Sequence, residues 1–336
     1  MGSEAGEAVL FGASGNTGRR VAAHLIDQGW QVIGLGRRRN FEAGGFRYRS
    51  GDIRNSETFR DLPENPDLVV NLAGLQPSIM TRVELTSPET EAEEYLTTNV
   101  LGAQNILNYV RSVRPRTYIY LTSHRDIELH WRRGERLRHD LPPAINFDGD
   151  HALYAVSKLV GQMLGEVMAA ETGIRAFNLR LPMLFQIPTK PYYLKDGKSE
   201  VMPFLEIIRA AHEGRPLEIW GDPGMRRDYV HVDNLLMTID ACHKSEIKGR
   251  TFNIGTGEAV STEHFVRSIG NVFSPEPDLL EVRYRPEMKT YKAAVYDISE
   301  NIDLLGVTPI LLEEMLVRLR DDLQADECFR RWGWVG

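Results

Sequence analysis

The chain has 336 residues, 42% apolar and 26% charged, with a formal net charge of -7. This is the balance of a folded α/β protein with room for a full core and a second lobe, and it argues against nucleic acid or an anionic membrane surface as partner. Cys242 and Cys328 are too few for a disulfide framework or a zinc site. With an acidic start (Met1-Gly2-Ser3-Glu4) and no run of ~18 apolar residues, a cytoplasmic location without membrane attachment is expected.

In chain order, Ala8-Val9-Leu10-Phe11 reads as a buried strand running into Gly12-Ala13-Ser14-Gly15-Asn16-Thr17-Gly18 and then a helix. A strand, a glycine-rich turn and a helix are how a βαβ unit receives a dinucleotide: the glycines let the backbone close on a pyrophosphate, whose charge meets free N–H groups. Further strands are expected at Gln31–Leu35, near Phe46–Tyr48, and at Leu68–Ala73, Thr117–Leu121 and Arg175–Leu181. Long helices are expected from Glu91 to Val113 and from Leu153 to Ala170. The segment from His124 to Asp150 has no clear period. Past Pro182 the texture changes to a proline-rich loop, a helix from Met202 to His212, a short strand at Leu217–Trp220 and a largely helical end from Leu311 to Cys328. The expected fold class is α/β: a Rossmann-type doubly wound parallel sheet with a smaller C-terminal substrate-binding lobe. Residues 1–181 would form the dinucleotide-binding domain, rejoined by about 228–256, with the lobe built from 182–227 and 257–336.

Of the twelve tyrosines, only Tyr154 has a lysine four residues later, Lys158. On a helix that spacing puts both on one face, and an ammonium beside a phenol favours the phenolate, lowering a pKa of about 10. Tyr154 can then exchange a hydroxyl proton while a nicotinamide exchanges a hydride. Ser123, at the carboxyl end of the fifth strand, is placed to hold the reacting oxygen. No histidines have metal-ligand spacing, so no metal is expected, and His231 is read as structural.

With these motifs the chain resembles the extended short-chain dehydrogenases/reductases, in the nucleotide-sugar epimerase and dehydratase group that includes UDP-galactose 4-epimerase. The likeness covers the glycine turn, Asp52-Ile53, Asn71-Leu72-Ala73-Gly74, Asn99-Val100-Leu101-Gly102, Thr122-Ser123 and Tyr154-Ala155-Val156-Ser157-Lys158. It implies catalysis by Ser123, Tyr154 and Lys158. It also implies cofactor contacts from Gly12, Ser14, Gly15, Asn16, Thr17, Gly18, Asp52, Ile53, Leu72, Ala73, Gly74, Asn99, Tyr154, Lys158 and Leu181. In the second lobe, Val201-Met202-Pro203-Phe204, Leu217-Glu218-Ile219-Trp220 and Arg226-Arg227-Asp228-Tyr229 resemble segments that hold a nucleotide. His124, Met183, Met202, Trp220, Arg227 and Arg285 are therefore the implied substrate contacts, the two arginines gripping a diphosphate. The family often dimerises through its two long helices, so a homodimer with a four-helix interface is implied.

Departures narrow the chemistry. Dehydratases of the group carry Thr-Asp-Glu where this chain has Ser123-His124-Arg125, and neither cysteine stands near the site. What remains is reversible hydride exchange, most naturally C4 epimerisation of a nucleotide-diphosphate hexose. The alternatives are an NADPH-dependent 4-keto-sugar reductase and, more remotely, a non-catalytic NADP-sensing protein of the same fold. The second strand ends Leu35-Gly36-Arg37-Arg38-Arg39, with no acid before Glu42. Arg37 and Arg38 suit a 2′-phosphate, so NADP(H) is favoured over NAD(H), a solvated basic loop being the competing reading. The basic stretch from Arg125 to Asp140 either folds over the site to meet an anionic substrate group or is simply solvated.

Overall fold

The computed structural model describes residues 6–76, 88–131, 134–148, 151–195, 198–290 and 292–334, with backbone alone at 88–91, 193–195 and 198. Seven strands form the main sheet: β1 (Glu7–Phe11), β2 (Gln31–Gly36), β3 (Arg47–Ser50), β4 (Leu68–Asn71), β5 (Thr117–Ser123), β6 (Arg175–Leu181) and β7 (Thr251–Asn253). All neighbours run parallel, in the order β3-β2-β1-β4-β5-β6-β7. The order reverses between β1 and β4, and sheets of this kind receive ligands at the carboxyl ends of the strands at that point. The helices are α1 (Asn16–Asp27), α2 (Pro88–Tyr95), α3 (Gly102–Val113), α4 (Ala152–Thr172), α5 (Pro203–His212), α6 (Val232–Lys244), α7 (Thr262–Phe273), α8 (Ser299–Leu305), α9 (Leu312–Ala325) and α10 (Cys328–Arg331).

Strands β4 and β5 are buried along their whole length, which is why they read as continuous apolar runs. Leu10, Leu68, Val70 and Ile119 pack on one face with Val21 and Leu25 of α1 and Leu235 and Ile239 of α6. Val9, Phe11 and Val69 pack on the other with Ile106, Leu107 and Val110 of α3 and Met168 of α4. A separate core joins Leu205 and Ile208 of α5, Phe265 and Ile269 of α7, and Met315 and Leu319 of α9. Among the described residues no helix is long and apolar enough to cross a membrane.

Three elements differ from the expectation. The helix expected over Glu91 to Val113 is broken by a π turn, Leu96–Leu101, between α2 and α3. Side-chain bonds made by Asn99 hold the wider turn open, as described below. The largely helical end expected from Leu311 to Cys328 is divided, α9 stopping at Ala325 and Glu327 turning into the left-handed region at φ 46 before α10. Val230–His231 pairs with Leu184–Phe185 outside the main sheet, although the Val230 side chain belongs to the first core.

The segment after β5 is ordered by long-range contacts that no local period reveals. A 3-10 turn, His124–His130, is followed by a two-residue strand, Arg136–Leu137, that pairs with Val295–Tyr296. Ile127, Leu137, Ala294, Tyr296 and Ile298 make a small core of their own. Beneath it, the guanidinium of Arg180 donates from Nε and one terminal nitrogen to Asp126, both at 3.0 Å. Its other terminal nitrogen reaches the His139 carbonyl at 3.0 Å and Asn253 Oδ1 at 3.1 Å. Both ions are buried, at 3% and 2% side-chain exposure, so removing one strands the other in a medium that solvates it poorly. Arg180→Leu should therefore cost about 3–5 kcal/mol in urea unfolding, with much of it recovered in Arg180→Leu/Asp126→Leu. A double variant no more stable than the single one would show that the pair is not the origin of the loss.

Candidate active site

The glycine turn sits at the carboxyl end of β1. Gly12 has φ 87, and a Cβ there would lie 2.8 Å from the Ala73 nitrogen, so the turn is drawn tightly onto the end of β4. A Cβ on Gly18 would strike the Gly12 carbonyl and sit 2.8 Å from Ala13 Cα, which fixes the close packing of α1 on β1. Gly15 caps α1 with extended backbone and no side-chain bond, and the first turn carries no acid. The helix N–H groups are thus open to a phosphate. Ser14 lies buried under Gly36, while Leu72 N bonds the Phe11 carbonyl at 2.9 Å and Ala73 N bonds Asn71 Oδ1 at 3.1 Å.

Opposite the turn, Asn99 bridges Leu75 through Oδ1 (2.6 Å from its N–H) and Nδ2 (3.0 Å from its carbonyl), and donates from Nδ2 to Ser157 Oγ at 2.9 Å. A Cβ on Gly74 would come within 3.1 Å of Asn99 Oδ1 and 3.6 Å of Lys158 Nζ. That gap, with the open end of α1, fits a dinucleotide. Arg37 and Arg38 stand exposed after β2, and the Arg37 charge acts on Asp52. Asp52 is bound by Arg54 at 2.8 Å, and Ile53 packs beneath Gly102.

Ser123 ends β5 in register with Leu181 of β6, and Tyr154 and Lys158 lie on the first turns of α4. The Tyr154 phenol is hydrogen-bonded to Ser123. Burial pushes its pKa upward, opposed by that bond and by the Arg125 charge. Lys158 does not act as the spacing suggested. Its ammonium lies 4.1 Å from the Tyr120 ring centroid, forms no ion pair among the described residues, and is pushed down to about 7 by burial. The Arg125 charge acts on Tyr154, while Lys158 is desolvated against Tyr120.

A narrow cleft beside this set is lined by His124, Met183, Arg227, Asp228, Ala294 and Tyr296, among others. The His124 ring packs 4.5 Å from Trp131, its Nδ1 bonds Tyr296 Oη, and burial followed by the Arg125 charge holds its pKa well below the usual value. Met202, Trp220 and Arg285 lie outside that lining. Met202 caps α5, and Trp220 donates to Glu218 at 2.8 Å. Arg285 pairs in register with Trp220 and is engaged by Glu287 at 2.8 Å and Glu218 at 3.6 Å. The structure thus groups His124, Met183 and Arg227 but not the other three.

The basic stretch is exposed to solvent while making local bonds: Arg136 bonds the Gly257 carbonyl at 2.6 Å, Arg138 bonds Asp140 at 2.9 Å and His130 bonds the Pro142 carbonyl at 2.9 Å. Arg132 and Arg133 lie outside the described residues. Sequence reasoning missed Trp131 and Tyr296 behind His124, and Tyr95, whose ring lies 6.3 Å from that of Tyr154. It also missed Gln186 and Thr189, which bond Thr17 at 2.9 Å and Asn16 at 3.0 Å. All are long-range partners with no local motif.

Residues 8–255 match the NAD dependent epimerase/dehydratase family. A probable UDP-glucuronate 4-epimerase of Rhizobium meliloti is 24% identical over 252 residues, 69% of this chain and 66% of that protein, just under two thirds of its length. A dTDP-4-dehydro-6-deoxy-D-allose reductase of Streptomyces is 25% identical over 244 residues, 69% of this chain and 71% of the relative. In fold, the chain is similar to the UDP-glucose 4-epimerase of Thermotoga maritima solved with UDP-glucose, with a TM-score of 0.74 and 20% identity over 96% of this chain and 99% of that one.

The Lys158 environment has a pH signature. Below pH 7 the folded protein bears the full cost of a buried ammonium. From about 7 up to the ordinary lysine value of 10.5 the folded state binds fewer protons than the unfolded, so stability rises with pH. Lys158→Met removes this dependence. In the absence of cofactor its Tm advantage over wild type should be largest near pH 6 and shrink steadily toward pH 9. A constant difference across that range would refute the burial argument.

Proposed function

The chain belongs to the NAD dependent epimerase/dehydratase family, and from that premise we propose that it inverts the C4 carbinol of a hexose carried on a nucleoside diphosphate. One observation carries the reading: the Tyr154 phenol is bonded to the hydroxyl of Ser123, whose chain neighbour His124 lines the cleft with Met183 and Arg227. When bound, the nicotinamide supplies the acceptor and donor of hydride. Ser123 Oγ orients the sugar oxygen, and Tyr154 Oη takes and returns its proton. Asn99 and Lys158, facing the gap above Gly74, are placed to hold the cofactor ribose. Arg227 is placed to hold the diphosphate. Water loss is disfavoured for a structural reason. Among the described residues the carboxylates around the site are engaged, Asp126 by Arg180, Glu128 by Arg125 and Lys292, and Asp228, which lines the cleft, by Thr256 and Gly257.

A second reading has its own support. The exposed Arg37 and Arg38, with no acid beside them at the end of β2, favour a 2′-phosphate and hence NADPH-driven reduction of a 4-keto sugar. Incubating nucleotide sugars with enzyme and catalytic NAD(H) or NADP(H), and following C4 configuration and reduced-cofactor absorbance, separates the two. Inversion without net absorbance change is expected, with Tyr154→Phe lowering turnover by about 10²-fold or more. Stoichiometric loss of NADPH with a keto substrate would establish the reductase instead, and release of a 4-keto-6-deoxy sugar would sink both.

The same helices offer an assembly surface. Leu101 at the start of α3 (58% exposed) and Met163 and Val167 on α4 (55% and 52%) are large apolar side chains left in water. They support a homodimer packed through these helices. Sedimentation should give twice the monomer mass, reduced to a monomer by Met163→Glu/Val167→Glu. A monomeric wild type would end the idea.

A further inference from the structure

His124 and Tyr296 reach the cleft from distant parts of the chain. His124 follows Ser123 at the end of β5, and Tyr296 lies in the short strand Val295–Tyr296, held by its pairing with Arg136–Leu137. Both side chains line the cleft, with Met183 and Arg227. The Tyr296 hydroxyl and His124 Nδ1 are hydrogen-bonded, and the Trp131 ring packs against the imidazole with centroids 4.5 Å apart. Tyr296 is 1% exposed and belongs to the small core with Ile127, Leu137 and Ile298, so the imidazole is tied to a packed support.

The direction of that bond fixes which ring nitrogen carries the proton. A phenol is the better donor, the lone pair of a neutral imidazole is the better acceptor, and a buried phenol needs a partner for its hydrogen. Tyr296 therefore donates to Nδ1, which leaves the imidazole proton on Nε2. The surroundings keep the ring neutral. Burial, then the charges of Arg125 in the same turn, Arg227 across the cleft, His151 before α4 and Arg180 on β6, hold its pKa well below the usual value. The carboxylate of the lining, Asp228, is turned to Thr256 and Gly257, accepting from both backbone N–H groups and the threonine hydroxyl.

We infer that Tyr296 is a positioning residue that locks His124 in the Nε2–H tautomer, and that His124 Nε2 is a neutral donor to a hydroxyl of the substrate's hexosyl group. This rests on the reading of the cleft as the seat of a nucleotide-linked hexose. With Nδ1 taken by Tyr296 and the ring packed against Trp131, Nε2 is the ring atom left to meet a ligand. His124 directly follows Ser123, whose hydroxyl orients the reacting oxygen, so the acceptor within its reach belongs to the sugar rather than to the nucleotide. A neutral donor suits a hydroxyl, and unlike an imidazolium it is not lost as pH rises through neutrality.

Nitrogen NMR of histidine-labelled protein reads the tautomer without a ligand, the His124 signal being the one missing from His124→Gln. From about pH 5 to about pH 9 it should show the proton on Nε2 and no titration. Tyr296→Phe, which keeps the ring in its core, should give a mixture of tautomers. Calorimetric Kd values for UDP-glucose and for UDP, on the cofactor-loaded protein, read the contact. His124→Asn keeps an acceptor where Nδ1 lies but has no group at Nε2. It should weaken UDP-glucose about five- to ten-fold while moving UDP less than about two-fold. His124→Gln, whose amide reaches the Nε2 position, should recover most of that loss, and Tyr296→Phe should weaken UDP-glucose several-fold without UDP following. A wild-type His124 that titrates or carries its proton on Nδ1 overturns the inference. So does a loss shared equally by UDP and UDP-glucose, or no loss, in His124→Asn. These Kd changes without C4 inversion would instead remove the epimerase reading and leave the contact standing.

Discussion

The Arg180 guanidinium, buried at the carboxyl end of β6, joins three parts of the chain that share no local sequence. It holds Asp126 in the turn after Ser123, the His139 carbonyl in the loop beyond, and Asn253 at the end of β7. Asn253 passes the connection on, donating to the Leu137 carbonyl at 2.8 Å and accepting from Asn301 on α8 at 3.0 Å. A planar fork of donors suits this task, because each nitrogen points in a fixed direction and the group stays charged. Ser123, His124 and Arg125 lie just before Asp126, so their placement against Tyr154 depends on this anchor.

Electrostatics in the site follow from what has been taken out of water. Lys158 loses basicity because it is buried, with the face of Tyr120 beneath its charge, and Tyr154 holds its proton more tightly because its ring is enclosed. The two shifts move the groups apart on the pH scale, the amine falling to about 7 while the phenol rises above its ordinary 10. A neutral amine and a protonated phenol are then both accessible near neutrality in the protein without cofactor. Arg125 works in the opposite sense on Tyr154 and is held by Glu128 at 2.8 Å.

Legibility varied with the range of the forces involved. Strands β1, β4 and β5, the glycine turn and the Tyr154–Lys158 spacing are local facts, and the doubly wound fold and the family were readable from them. The segment from His124 to Asp150 was not, because its order comes from Arg180, from pairing with Val295–Tyr296 and from Leu137 in a distant small core. The surroundings of Lys158 were hidden for the same reason: spacing places it on the face of Tyr154 but says nothing of the Tyr120 ring beneath. The bonds of Gln186 and Thr189 to the glycine turn likewise join residues more than 160 positions apart.

The π turn at Leu96–Leu101 bears on how this helix can change by descent. A turn of this kind holds one residue more than an α-helical turn, so losing a single residue from it would let α2 and α3 run together as one regular helix. The backbone would tolerate that deletion, with the Gly102 N–H giving up its present bond to the Thr97 carbonyl. The side chains would not, because each residue advances a helix by about 100°. Asn99 would swing away from Leu75 and Ser157, or Tyr95 away from Tyr154, depending on which side was shortened. Variation in length is therefore cheap for the helix and expensive for the site, and insertions or deletions in this lineage should fall outside these six residues.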